Sequence, residues 1–506
     1  MLRERSPAYL AERNHAVHCA GRKTCCSKAF VRSPAACCFR LDGGESFQNA
    51  RYGSSQVNIP LDHLTLPEAM VKTIQHFVPD FWPAIALVRD RRDPTRIIYS
   101  IQEEILVGIL MFMLKTESRR NIKYKLGTSE AFVKNIQCIG EQFYPKTIFP
   151  DCLLHGDTLD YGLNGVPLED IEGLRFLIIN ALLRKRCLEE FRLLGKYYTI
   201  SVDGTGCLTY KTKHCDHCLK KTRDGVVLYY YHPVLEAKLT LGNMFAFSIA
   251  TEFIENENEN VTKQDCELKA FYRLNQRLKK DFPQLPICLL LDGLYAGEPV
   301  FEICEDNHWL YLITFMEGSM PKVFEEYEAL KKLAPQQEKI VLHPQQGWQR
   351  IYRWVNEIDY DGRKLSVVEC DEKWENAPAK NRHFVFLSGV PIDDKNVIAL
   401  THGGRGRWVI ENQGFNMQKN GGYGLEHAFS KSNTAMKNFY VLMQIAHIFN
   451  QLMERGSLLR ERIKLNMGSL SVFAQKMWAA LTETLIDGKR LQWILAQRIQ
   501  IRFESG

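Results

Sequence analysis

Residues 197–206 read YYTISVDGTG, and residues 287–297 read ICLLLDGLYAG. In each, a short run of β-branched, aromatic or leucine residues closes on an aspartate followed by glycine: Asp203-Gly204 and Asp292-Gly293. Such a run reads as a buried strand, and the Asp-Gly pair as the turn that stops it. The carboxylate is thereby delivered to the mouth of a sheet, where water and substrate reach it while its neighbours stay buried. A third acidic residue, Glu411, lies in RGRWVIENQGFNMQK at 405–419. Two aspartates and a glutamate are the oxygen donors that Mg²⁺ prefers, and they point to metal-held phosphoryl transfer on nucleic acid. The plainer alternative, that both aspartates merely form strand-end turns, holds for many Asp-Gly pairs; the RWVIE segment argues against it here.

Outward from these runs the texture divides. From about Leu61 to Gly195 it is helical: Ile101, Ile105, Gly108, Ile109 and Phe112 fall on one face, followed by Leu126, Phe132, Ile136 and Ile139, then Leu174, Leu177, Ile178, Ala181 and Leu182. Arg119, Arg120, Lys123, Lys125 and Lys134 give this part a basic face, either solvated surface or a contact for DNA. From Lys196 strands are expected at Tyr197–Asp203, Val226–His232, Met244–Phe253, Ile287–Asp292 and Trp309–Phe315. A helix opened by Thr262, with Asp265 in capping-box position, precedes the fourth of these. Strand, strand, strand, helix, strand, helix, strand is the order of the ribonuclease H fold, in which the strands that end at Asp203 and Asp292 lie side by side. Residues 316–400 interrupt this unit as a β-rich insertion, with a hairpin turn at Asp361-Gly362. Residues 434–455 and 469–502 are helical, with Met436, Phe439, Met443, Ala446, Ile448 and Phe449 as core. The acidic run IENENEN at 254–260 reads as a solvated loop.

The stretches SVDGTG around Asp203, KQDCELKAF at 263–271, LLLDGLYAG around Asp292 and RGRWVIENQGFNMQKNGGYGLEHAFS at 405–430 resemble a known family. It is the DDE transposases of the insertion-sequence-four type, and the resemblance covers roughly residues 90–455. It implies an α/β fold: a ribonuclease H-like catalytic core with a β-rich insertion, a helical N-terminal domain before it and C-terminal helices after it. The corresponding boundaries are 59–195 for the helical, DNA-end-binding domain, 196–315 for the first part of the core and 316–400 for the insertion. The glutamate helix and its successor follow at 401–455, and a helical region at 456–506.

By the same resemblance, Asp203, Asp292 and Glu411 form the catalytic and metal-binding triad. Three clustered carboxylates repel one another without a cation. Two Mg²⁺ ions, for which Mn²⁺ can substitute, would relieve this, with Asp203 bridging both, Asp292 on one and Glu411 on the other. The implied activity is cutting at the inverted-repeat ends of a mobile element and joining the 3′-OH ends to target DNA. Arg407, four residues before Glu411, and Lys419, one residue later than the family spacing, would hold DNA phosphates. The family's tyrosine position is Gly404, for which His402 or Arg405 would substitute. Trp348 and Trp354 are candidates to support a flipped base, whereas Trp408 reads as core packing. The implied partners are DNA and a second copy of the chain in a homodimeric synaptic complex. The alternatives are a ribonuclease H-like nuclease without strand transfer, and an inactive copy that binds DNA.

The bulk numbers are compatible with this reading. The chain has 506 residues, 45% apolar and 25% charged, with a formal net charge of +6, so a polyanion partner would need local basic patches. The longest apolar run, Ile105–Leu114, has ten residues, about half of what a bilayer needs. With no secretory h-region, the expected location is cytoplasmic, nucleoid-associated when bound to DNA. Residues 1–58, with Cys19, Cys25, Cys26, Cys37 and Cys38, read as a disordered basic tail or a start assigned too far upstream, since adjacent cysteine pairs do not match zinc-finger spacings. Cys215-x-x-Cys218, flanked by His214 and His217, is half a zinc site without an evident second half nearby, and reads as a reduced loop between strands. Asp216, Asp224, Asp306 and Glu426 are acidic, but none closes an apolar strand.

Overall fold

The run around Asp203 becomes β1 (Tyr198–Tyr210), and the rest of the sheet is arranged about it. The computed structural model describes residues 63–242, 245–333 and 336–503; the N-terminal segment 1–58 and Met244 lie outside them. The further strands are β2 (Leu219–Arg223), β3 (Val226–Leu241), β4 (Phe245–Phe253), β5 (Ile287–Leu291), β6 (Leu310–Thr314), β7 (Glu338–His343), β8 (Trp348–Tyr360), β9 (Arg363–Trp374) and β10 (Arg382–Ser388). Among the described residues these ten form one mixed sheet in the order β2-β3-β1-β5-β6-β10-β9-β8-β7, with β4 on β3. β1 runs parallel to β5, and β5 parallel to β6; the other pairs are antiparallel. The fold of the described residues is therefore mixed α/β, with helices before and after the sheet.

Three local expectations change. β1 does not stop at Asp203 but continues to Tyr210, because GTGCLTY keeps pairing with β3, from Gly204↔Leu235 to Tyr210↔Tyr230. What does end near Asp203 is the pairing with β5, whose last register pair is Ser201↔Leu290. The helix expected from Thr262 begins at Glu267 with Cys266 as an N-cap that makes no side-chain bond. Asp265 is engaged elsewhere: it accepts from Arg273 at 2.7 Å and from the Glu255 amide at 3.3 Å. The segment 254–260 is only partly a solvated loop, since Ile254 and Asn256 are buried. By contrast the hairpin forms as expected, with Asp361 and Gly362 at φ of 48° and 79°.

The insertion does not stand apart from the sheet. β10 pairs with β6, so β7–β10 extend the sheet that β1–β6 begin. Alternation along β5 sends Leu289 and Leu291 into one hydrophobic cluster and Cys288 and Leu290 into a second, where helix Val397–Arg405 contributes Val397 and Leu400. Helix Asn433–Arg455 is buried over most of its length and packs on helices Ile101–Met113 and Leu168–Arg184 and on β4. All six core residues expected on it are buried. Among the described residues no helix is long and apolar enough to cross a membrane.

Under that helix the sheet face is polar. Register pairs Ser201↔Lys238, Asp203↔Glu236, Glu236↔Thr251 and Lys238↔Ser248 put these side chains on a single face. Glu236, fully buried, accepts from Thr251 at 2.7 Å and Tyr440 at 2.9 Å, and also from Ser248. Lys238 lies 3.8 Å from Glu236 and donates to Gln444 at 2.6 Å; burial pulls its pKa down to about 8. Arg175 of helix Leu168–Arg184 donates to Ser248 at 2.9 Å. On the opposite face, helix Glu267–Asp281 is tied to β4 by Arg273–Glu252 at 2.7 Å. Removing Glu236 would leave Lys238 buried without its carboxylate. Glu236→Ala is therefore expected to cost about 3–5 kcal/mol in urea denaturation, and Glu236→Gln, which keeps an acceptor for the hydroxyls, less.

Candidate active site

β1 and β5 are parallel and in register at Ser201↔Leu290, so two residues further along each strand direction come Asp203, where the pairing with β5 has ended, and Asp292, just past the end of β5. β5 closes at Leu291, and Asp292 caps the following turn by accepting the Leu294 amide at 2.9 Å. Asp203 accepts the Gly204 amide at 2.9 Å. Glu411 arrives from a distant part of the chain, on a π-helical turn spanning Ile410–Asn416. Arg407, one turn earlier, joins the two groups: its Nη1 lies 2.8 Å from Glu411 Oε1 and 3.4 Å from Asp203 Oδ2.

A fourth carboxylate belongs to the cluster. Glu267, first residue of its helix, accepts from the Tyr295 hydroxyl at 2.6 Å. It also lies against β1: a Cβ added at Gly204 would come within 2.5 Å of Glu267 Oε2. In the sequence Glu267 lies within KQDCELKAF and is not among the candidate site residues. Its signal was faint, because it ends no strand and only the approach to Gly204 brings it in.

Burial pushes the Asp203 carboxyl up to about 6; Arg407 opposes this, and the charges of Glu411, Glu267 and Asp292 add to it. The cluster is thus an oxygen-only donor set with more negative charge than Arg407 neutralises. Asp203, Asp292 and Glu411, with Glu267 beside them, are the residues that could hold a hard divalent cation.

The remaining candidates are distributed unevenly. Arg407 points into the carboxylates, with its side chain 13% exposed, instead of outward. Lys419 pairs with Glu426 at 3.0 Å. Its extra residue of spacing from Glu411 has a local cause: i→i+5 bonding through the π turn takes about one more residue per turn than an α-helix. Gly404 is buried, and a Cβ there would sit 2.7 Å from the Phe386 ring, so a tyrosine at this position would collide with the sheet. His402 is exposed, and Arg405 bonds Glu372 at 3.0 Å while its guanidinium covers Phe384.

Trp348 is half-buried, donates to Gln346 at 2.7 Å and stacks under Arg350. Trp354 is 8% exposed in the second hydrophobic cluster and offers no face to a base. Trp408, expected in the core, is 56% exposed, because its neighbours Val409 and Ile410 take the buried positions. It lines a groove of about 530 Å³ with Arg350, Arg382, Phe384, His402 and Arg405. Asp216 is paired with Lys213, Asp224 occupies the β2–β3 turn and Asp306 the helix Glu298–Asn307, so none of these joins the cluster.

No protein-family model matches the chain, and no curated protein matches it at a significant level.

The raised Asp203 pKa has a defined sign. A carboxyl lifted from 3.8 to about 6 by folding contributes stability that is full below about pH 4 and lost as pH rises through 6. Asp203→Asn removes the burden of the ionised form. In the metal-free protein it is expected to raise unfolding free energy at pH 7.5 by up to about 3 kcal/mol, with the gain shrinking toward pH 4.5, as read by urea titration at both values.

Proposed function

We propose that the chain is a DDE-type DNA transposase, which cuts at inverted-repeat ends of a mobile element and joins the 3′-OH ends to target DNA. The observation that carries this reading is the meeting of Asp203 and Glu411, from distant stretches, at Arg407, with Asp292 following the strand that pairs beside Asp203. The strand order β4-β3-β1-β5-β6, antiparallel for the first three and parallel for the last two, supports a ribonuclease H-like core. β7–β10 and helix Pro321–Leu333 then form the insertion before the glutamate.

Each residue has a task in that reaction. Two Mg²⁺ ions, or Mn²⁺ in their place, would supply Lewis-acid stabilisation of the attacking and leaving oxygens of an in-line displacement. Asp203, Asp292 and Glu411 would hold them, and Tyr295 keeps Glu267 oriented beside Gly204 by its hydrogen bond. Arg407, held between Asp203 and Glu411, would bind the scissile phosphate. The groove lined by Trp408 and Asn412, which flank Glu411 in the chain, suits DNA: Arg350, Arg382 and Arg405 offer charge for phosphates, and Trp408 offers an open ring for a base. Water is the nucleophile for cutting and the freed 3′-OH for joining, so no covalent enzyme intermediate is needed. Both ends are acted on together by a homodimer.

The test uses purified full-length protein and labelled duplex carrying the inverted repeat beside its gene. Wild type is expected to release a 3′-OH end and join it to plasmid only with Mg²⁺ or Mn²⁺. Asp203→Ala, Asp292→Ala and Glu411→Ala should bind the ends but lose both steps. Cutting without end specificity or joining would replace this reading with a plain nuclease, and binding without cutting in wild type with an inactive copy.

The groove gives a separate expectation. Trp408→Ala should weaken end binding by about 1–3 kcal/mol in a gel-shift titration, the scale of one base stacked on an aromatic ring. Arg382→Ala should lower the slope of log affinity against log salt by about one.

A further inference from the structure

The connection from β1 to β2 is a tight knuckle. The Cys218 amide donates to the Cys215 carbonyl at 3.4 Å, and the Cys215 amide donates to Cys218 Sγ at 3.3 Å. Both sulfurs are thereby turned to one side, 3.7 Å apart. β3 brings His232 onto them, through its register pair with Leu208 of β1. His232 Nε2 lies 3.4 Å from Cys215 Sγ and 3.2 Å from Cys218 Sγ, with the residue 3% exposed. His214 closes the group: its ring stacks on Tyr210 with centroids 4.3 Å apart and stands at 85° to the His232 ring. Neither ring nitrogen of His214 has a hydrogen-bond partner among the described residues, although both are buried. One donor atom from each of the four residues lies within 4.8 Å of all the others.

We infer that His214, Cys215, Cys218 and His232 bind one structural Zn²⁺ ion, which fastens the base of the β2–β3 hairpin. Tetrahedral zinc with bonds of about 2.3 Å to sulfur and 2.0–2.1 Å to nitrogen requires sulfur–sulfur edges of about 3.8 Å and sulfur–nitrogen edges of about 3.6 Å. The separations found are 3.7 Å, and 3.4 and 3.2 Å. Two thiolates and two neutral imidazoles cancel the charge of the ion, so the assembly can be buried without a counter-ion. Four protein ligands leave no open coordination position, which makes the site structural. A metal-free reduced loop would leave both His214 nitrogens buried and unsatisfied, whereas zinc would take one of them as a ligand.

His217, the other histidine beside the CxxC, is excluded. Its Nδ1 lies 2.9 Å from the Asn256 carbonyl, the Asn256 amide donates to the His217 carbonyl at 3.1 Å, and Asn256 Nδ2 donates to the Cys218 carbonyl at 3.0 Å. These bonds tie the knuckle to the segment 254–265, which leads directly to Glu267. The zinc clip therefore supports one wall of the carboxylate cluster from outside it, and stands whether or not the chain is a transposase.

The experiment is metal analysis of the full chain, purified without chelator and under reducing conditions. Plasma mass spectrometry is expected to find one zinc per chain, retained in the exposed-thiol control Cys266→Ser and lost in Cys218→Ser. Cobalt exchanged into wild type should show thiolate charge-transfer and the intense visible bands of a tetrahedral site. Should Cys218→Ser not fold, His214→Ala keeps three ligands and the buried pair. Its zinc affinity, read by competition with a chromophoric chelator, is expected to fall by about tenfold or more. The assignment is overturned by wild type that neither carries zinc nor takes it up on titration. It is equally overturned by zinc that stays with Cys218→Ser, or by His214→Ala binding zinc as tightly as wild type.

Discussion

Parallel pairing of β1 with β5 is the constraint on which the site depends. Both strands are buried, so their register cannot slip by one residue without turning every apolar side chain to the wrong face. That register, set by Ile200↔Leu289 and Ser201↔Leu290, is what brings Asp203 of β1 beside Asp292 at the end of β5. Hydrophobic packing thus forces together carboxylates that would otherwise separate. The crowding shows in the Asp203 carboxyl, lifted by burial and by its acidic neighbours, and in Arg407 drawn in between Asp203 and Glu411.

The third carboxylate is placed by a different device. Lys238, on the polar face of β3, donates to Gln444 of helix Asn433–Arg455, and Gln444 accepts from Gln418 at 2.7 Å. Lys238 also packs under the π turn, with a Cβ added at Gly414 coming 3.1 Å from its Cε and the Phe415 ring centroid 5.8 Å from its ammonium. One buried cation therefore connects the sheet, the central helix and the turn that holds Glu411. Glu236 keeps that cation charged and in place, so the polar network under the helix and the carboxylate cluster are parts of one structure.

The insertion and the knuckle flank this arrangement through the same sheet. β10 on β6 carries Arg382 and Phe384 toward helix Val397–Arg405, where Arg405 covers Phe384 and a groove opens beside Trp408. Gly404 lets that helix lie close on Phe386, which is why the position tolerates no tyrosine. At the other side, the CxxC knuckle anchors the hairpin and the segment that leads to Glu267.

Local features were legible in the chain. Runs of apolar residues closed by Asp-Gly, the Asp361-Gly362 hairpin and the stripe along residues 434–455 could be read because each depends on neighbours in the chain and on the periods of strand and helix. Where β1 ends could not, since its continuation past Asp203 depends on pairing with β3. The tertiary structure alone decided which residues meet across hundreds of positions. It brought Glu267 to Gly204, buried Trp354, exposed Trp408, turned Arg407 inward and set His232 against Cys215 and Cys218. Those outcomes follow from strand register, helix approach and burial, which act between segments and leave no mark on the spacing within any one of them.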